Sequence, residues 1–220
     1  MSKYQHDVEH PIIIPYRNVL LDGILQIPEH ATGLVIFVHG SGSSRFSVRN
    51  QFVARTLNKA KLATLLFDLL TPDEDQIDAQ TAEYRFDITF LAARLLGVTD
   101  WVQQHLAEHT INIGYFGAST GGAAALVAAA ERVDLIKAVV SRGGRPDLAD
   151  ASLPQVRAPT LLIVGGDDPI VIQLNQTAFQ QLDCVKELKI IPGATHLFEE
   201  PGTLEAVAAL AQQWFKKYLI

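Results

Sequence analysis

The chain is short of cysteine, of basic charge and of long apolar runs. Its single cysteine, Cys184, has no second thiol in the chain to pair with. That fits a reducing cytoplasm and excludes a disulfide-built scaffold. Lys and Arg number 18 against 24 Asp and Glu, for a formal net charge of −6, and the basic residues are scattered. A phosphate-binding surface needs a basic stripe, so nucleic acid is not expected as a partner. No apolar run approaches the roughly 20 residues that span a bilayer, so no membrane partner is expected either. Met1-Ser2-Lys3-Tyr4-Gln5-His6-Asp7 lacks the apolar core of a signal peptide. There is no low-complexity tract, internal repeat or linker.

What remains is an ordinary globular composition. The 220 residues are 48% hydrophobic and 19% charged. That length suits one sizeable α/β domain and is too short for two comfortable ones, so residues 1–220 are expected to form a single domain. Strand-like runs cover Ile12–Ile14, Leu20–Ile27, Gly33–His39, Ala63–Asp68, Ile111–Phe116, Ala138–Ser141, Thr160–Gly165 and Lys186–Ile191. Several are apolar throughout, as in strands covered on both faces. Helix-like segments lie between them, at about Arg49–Lys59, Tyr84–His105, Thr120–Ala130, Ile170–Leu182 and Thr203–Tyr218. An opening hairpin followed by alternating strand and helix implies a mostly parallel sheet with right-handed crossovers. Thr71–Gln80, with Pro72, Asp73, Glu74 and Asp75, reads as an acidic, solvated loop.

The most informative stretch is Gly117-Ala118-Ser119-Thr120-Gly121. A G-x-S-x-G match alone is weak. Here it joins the strand-like Ile111–Phe116 to the helix-like run from Gly122, and that context makes it a nucleophile elbow. The turn is so sharp that small residues must flank the Ser. A Ser hydroxyl also needs a base, and the base needs an orienting acid. The chain supplies both in the order Ser, acid, His. The acid lies in Gly166-Asp167-Asp168-Pro169, after the strand ending at Gly165. The base is His196 in Pro192-Gly193-Ala194-Thr195-His196, after the next strand. All three fall beyond C-terminal strand ends, where open α/β sheets build their sites. The loop His39-Gly40-Ser41-Gly42-Ser43 completes the set. Backbone N–H groups of Ser41 and Thr120 are the expected oxyanion hole, with His39 pinning the loop.

These segments resemble the dienelactone hydrolase-like branch of the α/β-hydrolase superfamily, over nearly the whole chain. The resemblance implies an α/β-hydrolase fold: a mostly parallel eight-stranded sheet, helices on both faces and no lid domain. It implies a Ser119–His196–Asp168 triad, a small ester or lactone as substrate, and neither cofactor nor metal. Asp168 fits the related pattern G-x-x-D-x-x-V read from Gly165, which leaves Asp167 to the turn or the helix cap. Asp147 is the outside candidate for the acid. The hydrolases that give this family its name use Cys as nucleophile, whereas this elbow carries Ser119 and Cys184 lies elsewhere. The carry-over is therefore to carboxylic ester hydrolysis rather than to dienelactone itself. Acyl transfer or perhydrolysis by the same triad, or a non-catalytic binding protein on the same fold, are the other readings.

Three patterns compete. Gly40-Ser41-Gly42-Ser43-Ser44-Arg45 nearly spells a dinucleotide fingerprint, with Asp68 as a ribose acid, but Arg45 replaces the third Gly. His105-Leu106-Ala107-Glu108-His109 spells an inverted zinc-protease pattern with no third-ligand motif nearby. Arg45, Arg49, Arg142 and Arg145 stand near the expected site edge. They form either a rim for an anionic substrate or salt bridges to Asp68, Glu74 or Asp147. Finally, little chain separates Ser141 from Thr160, too little for a helical lid, so the pocket should be open, small and suited to short acyl chains.

Overall fold

The computed structural model describes residues 4–106 and 112–220. The strands in chain order are β1 (Glu9–Tyr16), β2 (Val19–Gln26), β3 (Gly33–Val38), β4 (Leu62–Phe67), β5 (Asn112–Ala118), β6 (Ile136–Arg142), β7 (Thr160–Gly165) and β8 (Lys186–Ile191). They form one eight-stranded sheet in the order β1-β2-β4-β3-β5-β6-β7-β8. The β1–β2 hairpin is antiparallel, and β2 meets β4 antiparallel. Every pairing from β4 through β8 is parallel. This is the α/β-hydrolase architecture.

Burial follows from position in the sheet. Every residue of β3, β4 and β7 is buried, because helices cover both faces there. At the edge, Ile12 and Ile14 are buried while Ile13 between them is 59% exposed, the two-residue alternation of a half-covered strand. Pro11 and Pro15 sit on that edge strand, where a missing N–H costs least. Helices α1 (Val48–Lys59) and α6 (Thr203–Leu219) pack on one face over Phe37, Phe116 and Ile163. Helices α3 (Ile88–His105), α4 (Thr120–Glu131) and α5 (Pro169–Gln181) pack on the other over Ile36, Tyr115 and Leu162.

The acidic stretch after β4 is not a loop. Pro72–Thr81 forms a helix, α2. Thr71 Oγ1 accepts the Glu74 N–H, and Glu74 Oε2 accepts the Thr71 N–H at 2.8 Å, a capping box with Pro72 in the first helical position. Asp73, Glu74 and Asp75 then lie at the positive end of the helix dipole. Periodicity misses the helix because Ile77 is its one large apolar residue, and Ile77 is exposed. Polar contacts hold it instead. Asp78, 1% exposed, accepts the N–H groups of Tyr84 and Arg85 at 2.8 and 2.9 Å and the Arg85 Nε–H at 2.8 Å. Glu74 also takes Arg94 of α3 at 2.5 Å.

Other boundaries move for local reasons. The helix expected from Tyr84 begins at Ile88, because the Asp87 side chain accepts the Phe90 N–H at 2.9 Å and caps it there. The short link between β6 and β7 holds a 3₁₀ segment, Pro146–Gln155, kinked at Asp150 and buried at Ala149 and Leu153. It is no lid domain. Of the H-x-x-E-H pattern, Glu108 and His109 lie outside the described residues, as does Ile111. His105 is described. Its ring stacks on Trp101 at 4.5 Å, and its Nδ1 bonds the Trp101 carbonyl.

Asp78 is thus a buried charge on which α2 depends. Replacing it by Asn removes the charge and sets an amide N–H against the Arg85 guanidinium. Asp78→Asn should lower unfolding free energy by about 3 kcal/mol in urea titrations. An unchanged midpoint would show that α2 is held by other contacts.

Candidate active site

The elbow is built by backbone crowding. Ser119 caps the N-terminus of α4 with φ 51° and ψ −123°, a left-handed conformation that non-Gly residues rarely adopt. A Cβ on Gly121 would collide with the Val38 carbonyl oxygen, and one on Gly117 would lie 2.5 Å from the Gly121 oxygen. Both positions therefore exclude any larger residue. The strained residue is clamped from both sides by the loop after β6. The Ser119 N–H donates to the Arg142 carbonyl at 3.3 Å, and the Arg145 N–H donates to the Ser119 carbonyl at 3.1 Å. That loop is tied to α5 by buried Asn175, whose Nδ2 donates to the Gly144 carbonyl at 3.0 Å. Asn175 carried no sequence motif, and only its burial in the fold exposes its part.

Asp168 and His196 come together although 28 residues separate them. His196 Nδ1 lies 2.7 Å from Asp168 Oδ2. A carboxylate accepts, so Nδ1 carries the proton and Nε2 of the neutral ring is left to accept another. Asp168 is also the N-cap of α5, accepting the Val171 N–H, with Pro169 next. The helix cap is thus Asp168, not Asp167. Asp167 is exposed, and its N–H donates to the Ala194 carbonyl at 2.9 Å, which ties the two loops together. Asp147 is engaged by Arg145 through two bonds of 2.9 and 2.7 Å. The His196 ring approaches the Ser119 clamp at Gly143. The Cε1 atom stands 3.6 Å from where a Gly143 Cβ would lie, next to the Arg142 carbonyl that takes the Ser119 N–H.

The loop after β3 approaches from the opposite side. A Cβ on Gly40 would lie 2.9 Å from the Ser119 Cβ. The Ser41 and Thr120 hydroxyls lie 3.1 Å apart, so the loop after β3 meets the start of α4 beside Ser119. His39, 6% exposed, pins this loop. Its Nε2 accepts the Leu69 N–H at 3.0 Å and its Nδ1–H donates to the Gly40 carbonyl at 2.9 Å. A cavity of about 10 Å³, room for about one water, lies between Ser41 and Thr120 on one side and Leu69, Leu70, Leu91 and Arg85 on the other. Asp75 and Asp78 of α2 line the same space. The signal was legible as Thr71-x-x-Glu74 with Pro72 between, a capping box inside what looked like a loop.

The four arginines divide. Arg45 pairs with Asp68 and lies 3.5 Å from Asp22, and Arg145 pairs with Asp147. Asp68, the would-be ribose acid, is thereby occupied. Arg49 meets Glu199, a partner not among those expected. Arg142 is buried and bonds the neutral Asn50 side chain at 3.2 Å. No group of three or more His, Cys, Asp or Glu able to hold a metal occurs among the described residues. No helix among them is long and apolar enough to cross a membrane.

Residues 22–219 match the family model of the dienelactone hydrolase family. A solved dienelactone hydrolase from Anabaena variabilis is 58% identical, with a TM-score of 0.94 over 97% of this chain and 99% of that one. A Mycobacterium tuberculosis protein provisionally named as a phosphoribosyl transferase is 56% identical over 197 residues. The match covers 90% of this chain and 44% of that protein, so the chain spans less than half the length of this curated relative. Est1E from Butyrivibrio proteoclasticus, also solved with ferulic acid bound, has a TM-score of 0.79 at 19% identity over 94% of this chain and 98% of its own, and shows the shared fold alone.

The His39 environment sets a pH dependence. Burial lowers its pKa below the ordinary value near 6.5, against the raising effect of the Gly40 carbonyl. The unfolded chain then binds a proton that the folded one refuses. The stabilisation is fully present above about pH 6.5 and is lost as pH falls toward the lowered folded value. In ¹⁵N-detected NMR at pH 6, His39 should remain neutral with its proton on Nδ1. A protonated Nε2 there would contradict the bond from Leu69.

Proposed function

Since the chain belongs to the dienelactone hydrolase family, we propose that it is a serine hydrolase of small carboxylic esters or lactones, acting as one α/β-hydrolase domain in the cytoplasm. Ser119 Oγ attacks the carbonyl carbon while His196 Nε2 takes its proton. Asp168 holds the His196 ring in the tautomer this requires and stabilises the imidazolium that forms. The N–H groups of Ser41 and Thr120 receive the oxyanion of the tetrahedral intermediate. On collapse the leaving oxygen takes the proton from His196, and an acyl-Ser119 ester remains. Water, deprotonated by His196, then releases the acid and restores Ser119.

Two observations carry this reading: Ser119 is strained, at φ 51°, in the strand-to-helix turn, and His196 Nδ1 faces the Asp168 carboxylate at 2.7 Å. Strain of this kind persists only where the surroundings over-determine it, and it clusters at active sites. A binding protein on the same fold would need neither the strain nor the imidazole–carboxylate pair. The phosphoribosyl transferase name belongs to a relative more than twice as long in which this chain accounts for 44%, and it does not extend to this chain.

Ser119→Ala should lower kcat for p-nitrophenyl acetate on the order of 10⁴-fold while the fold survives. Asp168→Asn should cost on the order of 10³-fold or more, with Asp167→Asn and Asp147→Asn within about tenfold of wild type. Near-wild-type activity in Ser119→Ala, or a larger loss at Asp147 than at Asp168, would refute the assignment. Across acyl lengths, kcat/KM should fall from acetyl and butyryl toward octanoyl esters. A preference for octanoyl would contradict a small, open pocket.

A further inference from the structure

A buried cation in this fold has no carboxylate beside it among the described residues. Arg85, Arg94, Arg45 and Arg145 each meet a carboxylate. Arg142 does not. It ends β6 with 5% of its surface exposed, and its guanidinium bonds the neutral Asn50 Oδ1. Its Nε is buried without a hydrogen-bond partner, and so is the Nε of Arg49. The charge that bears on Arg142 is that of Arg49, another cation. Burial first, and then Arg49, bring the Arg142 pKa down to about 10, so its guanidinium remains charged at neutral pH.

The helix adds to the imbalance. Arg49 and Asn50 lie in the first turn of α1, which has twelve residues and no acidic side chain in that turn. A helix N-terminus carries a partial positive charge, so a cation in its first turn is placed against the dipole. Two guanidiniums and a helix N-terminus therefore converge where one carboxylate answers them. That carboxylate, Glu199, is 65% exposed and reaches Arg49 at 3.2 Å. Exposed pairs contribute little, and a buried charge without a partner is strongly destabilising. The side chain that covers Arg142 is Phe198, whose ring centre is 5.8 Å from the guanidinium carbon.

We propose that Arg49, Arg142 and the first turn of α1 form a binding site for a small oxyanion, carboxylate or phosphate, behind the loop that carries His196. An oxyanion there accepts from the free guanidinium N–H groups and sits at the positive end of the α1 dipole, where Ser47 Oγ already takes the Asn50 N–H. It also joins three elements that the site depends on: α1, the end of β6 that clamps Ser119, and the His196 loop. The anion can come from two sources, a free ion or an acid group carried by the substrate. The first does not rest on the proposed hydrolase activity. The second does.

Calorimetric titration with inorganic phosphate, against potassium chloride at matched ionic strength, tests the site itself. Phosphate should bind saturably to wild type and to Ser119→Ala alike, and Arg49→Gln should weaken it about tenfold or more. Arg142→Gln should do the same. If that buried variant fails to fold, the partly exposed Arg49 decides alone. Steady-state kinetics separate the sources. A p-nitrophenyl ester ending in a carboxylate should outrun its neutral counterpart of equal length if the substrate supplies the anion, and that preference should vanish in Arg49→Gln and under added phosphate. Equal rates for the two esters, with phosphate still bound, assign the site to a free anion. No phosphate binding beyond chloride together with no ester preference overturns the proposal, as does phosphate binding that Arg49→Gln leaves unchanged. Should the protein hydrolyse neither ester, the proposed activity fails while the calorimetry still decides the anion site.

Discussion

The backbone of Ser119 is held where an L-residue resists going, and the candidate site depends on that hold. A left-handed φ at a non-Gly residue costs on the order of 1–2 kcal/mol. The neighbours that enforce it are backbone groups. The Val38 and His39 carbonyls crowd Gly121 on one side, and the loop Arg142–Arg145 takes both peptide groups of Ser119 on the other. Because the constraint comes from adjacent parallel strands, it is as rigid as the sheet. The position of the hydroxyl is thus a consequence of β3, β5 and β6 lying side by side.

The remaining groups are each fixed by a second, unrelated interaction. Asp168 faces His196 and also caps α5, so the helix start sets the carboxylate's position. The Asp167 N–H ties its loop to Ala194, two residues before His196. His39 spans from the Gly40 carbonyl to the Leu69 N–H, and so joins the loop of Ser41 to the segment that leads into α2. Asn175 links α5 back to the clamp around Ser119. These shared anchors connect three loops from three strand ends into one network, and a displacement in any of them is felt by the others.

The strands were legible because parallel strands buried on both faces must be apolar throughout, and a run such as Thr160–Gly165 is too short and too evenly apolar for a half-exposed helix. The elbow was legible because its two glycines answer a steric demand visible in the motif. The order Ser119, Asp168, His196 carried the spatial arrangement only through the topology that repeated βα units impose. What escaped was held by polar contacts rather than by periodic apolar faces. Helix α2 depends on Asp78 and a capping box, and its acidic run looks solvated until Arg85 and Arg94 arrive from elsewhere. The partners of the arginines were partly legible. Asp147 is two residues from Arg145, and the expected Asp68 does meet Arg45, whereas Glu199 and Asn50 reach Arg49 and Arg142 only through the fold. Asp168 serving as both cap and His partner likewise needed the fold, since Asp167 and Asp168 are adjacent and chemically identical.

The central claim is that Ser119 is an activated nucleophile. Incubation of the folded protein with a fluorophosphonate, followed by intact-mass measurement and peptide mapping, tests it most directly. The expected result is one adduct per chain, on the peptide that carries Ser119, with displacement of fluoride and loss of all esterase activity in step with labelling. No adduct on the folded protein, or a stoichiometric adduct on another residue such as Ser41 or Ser141 with Ser119 unmodified, would contradict it.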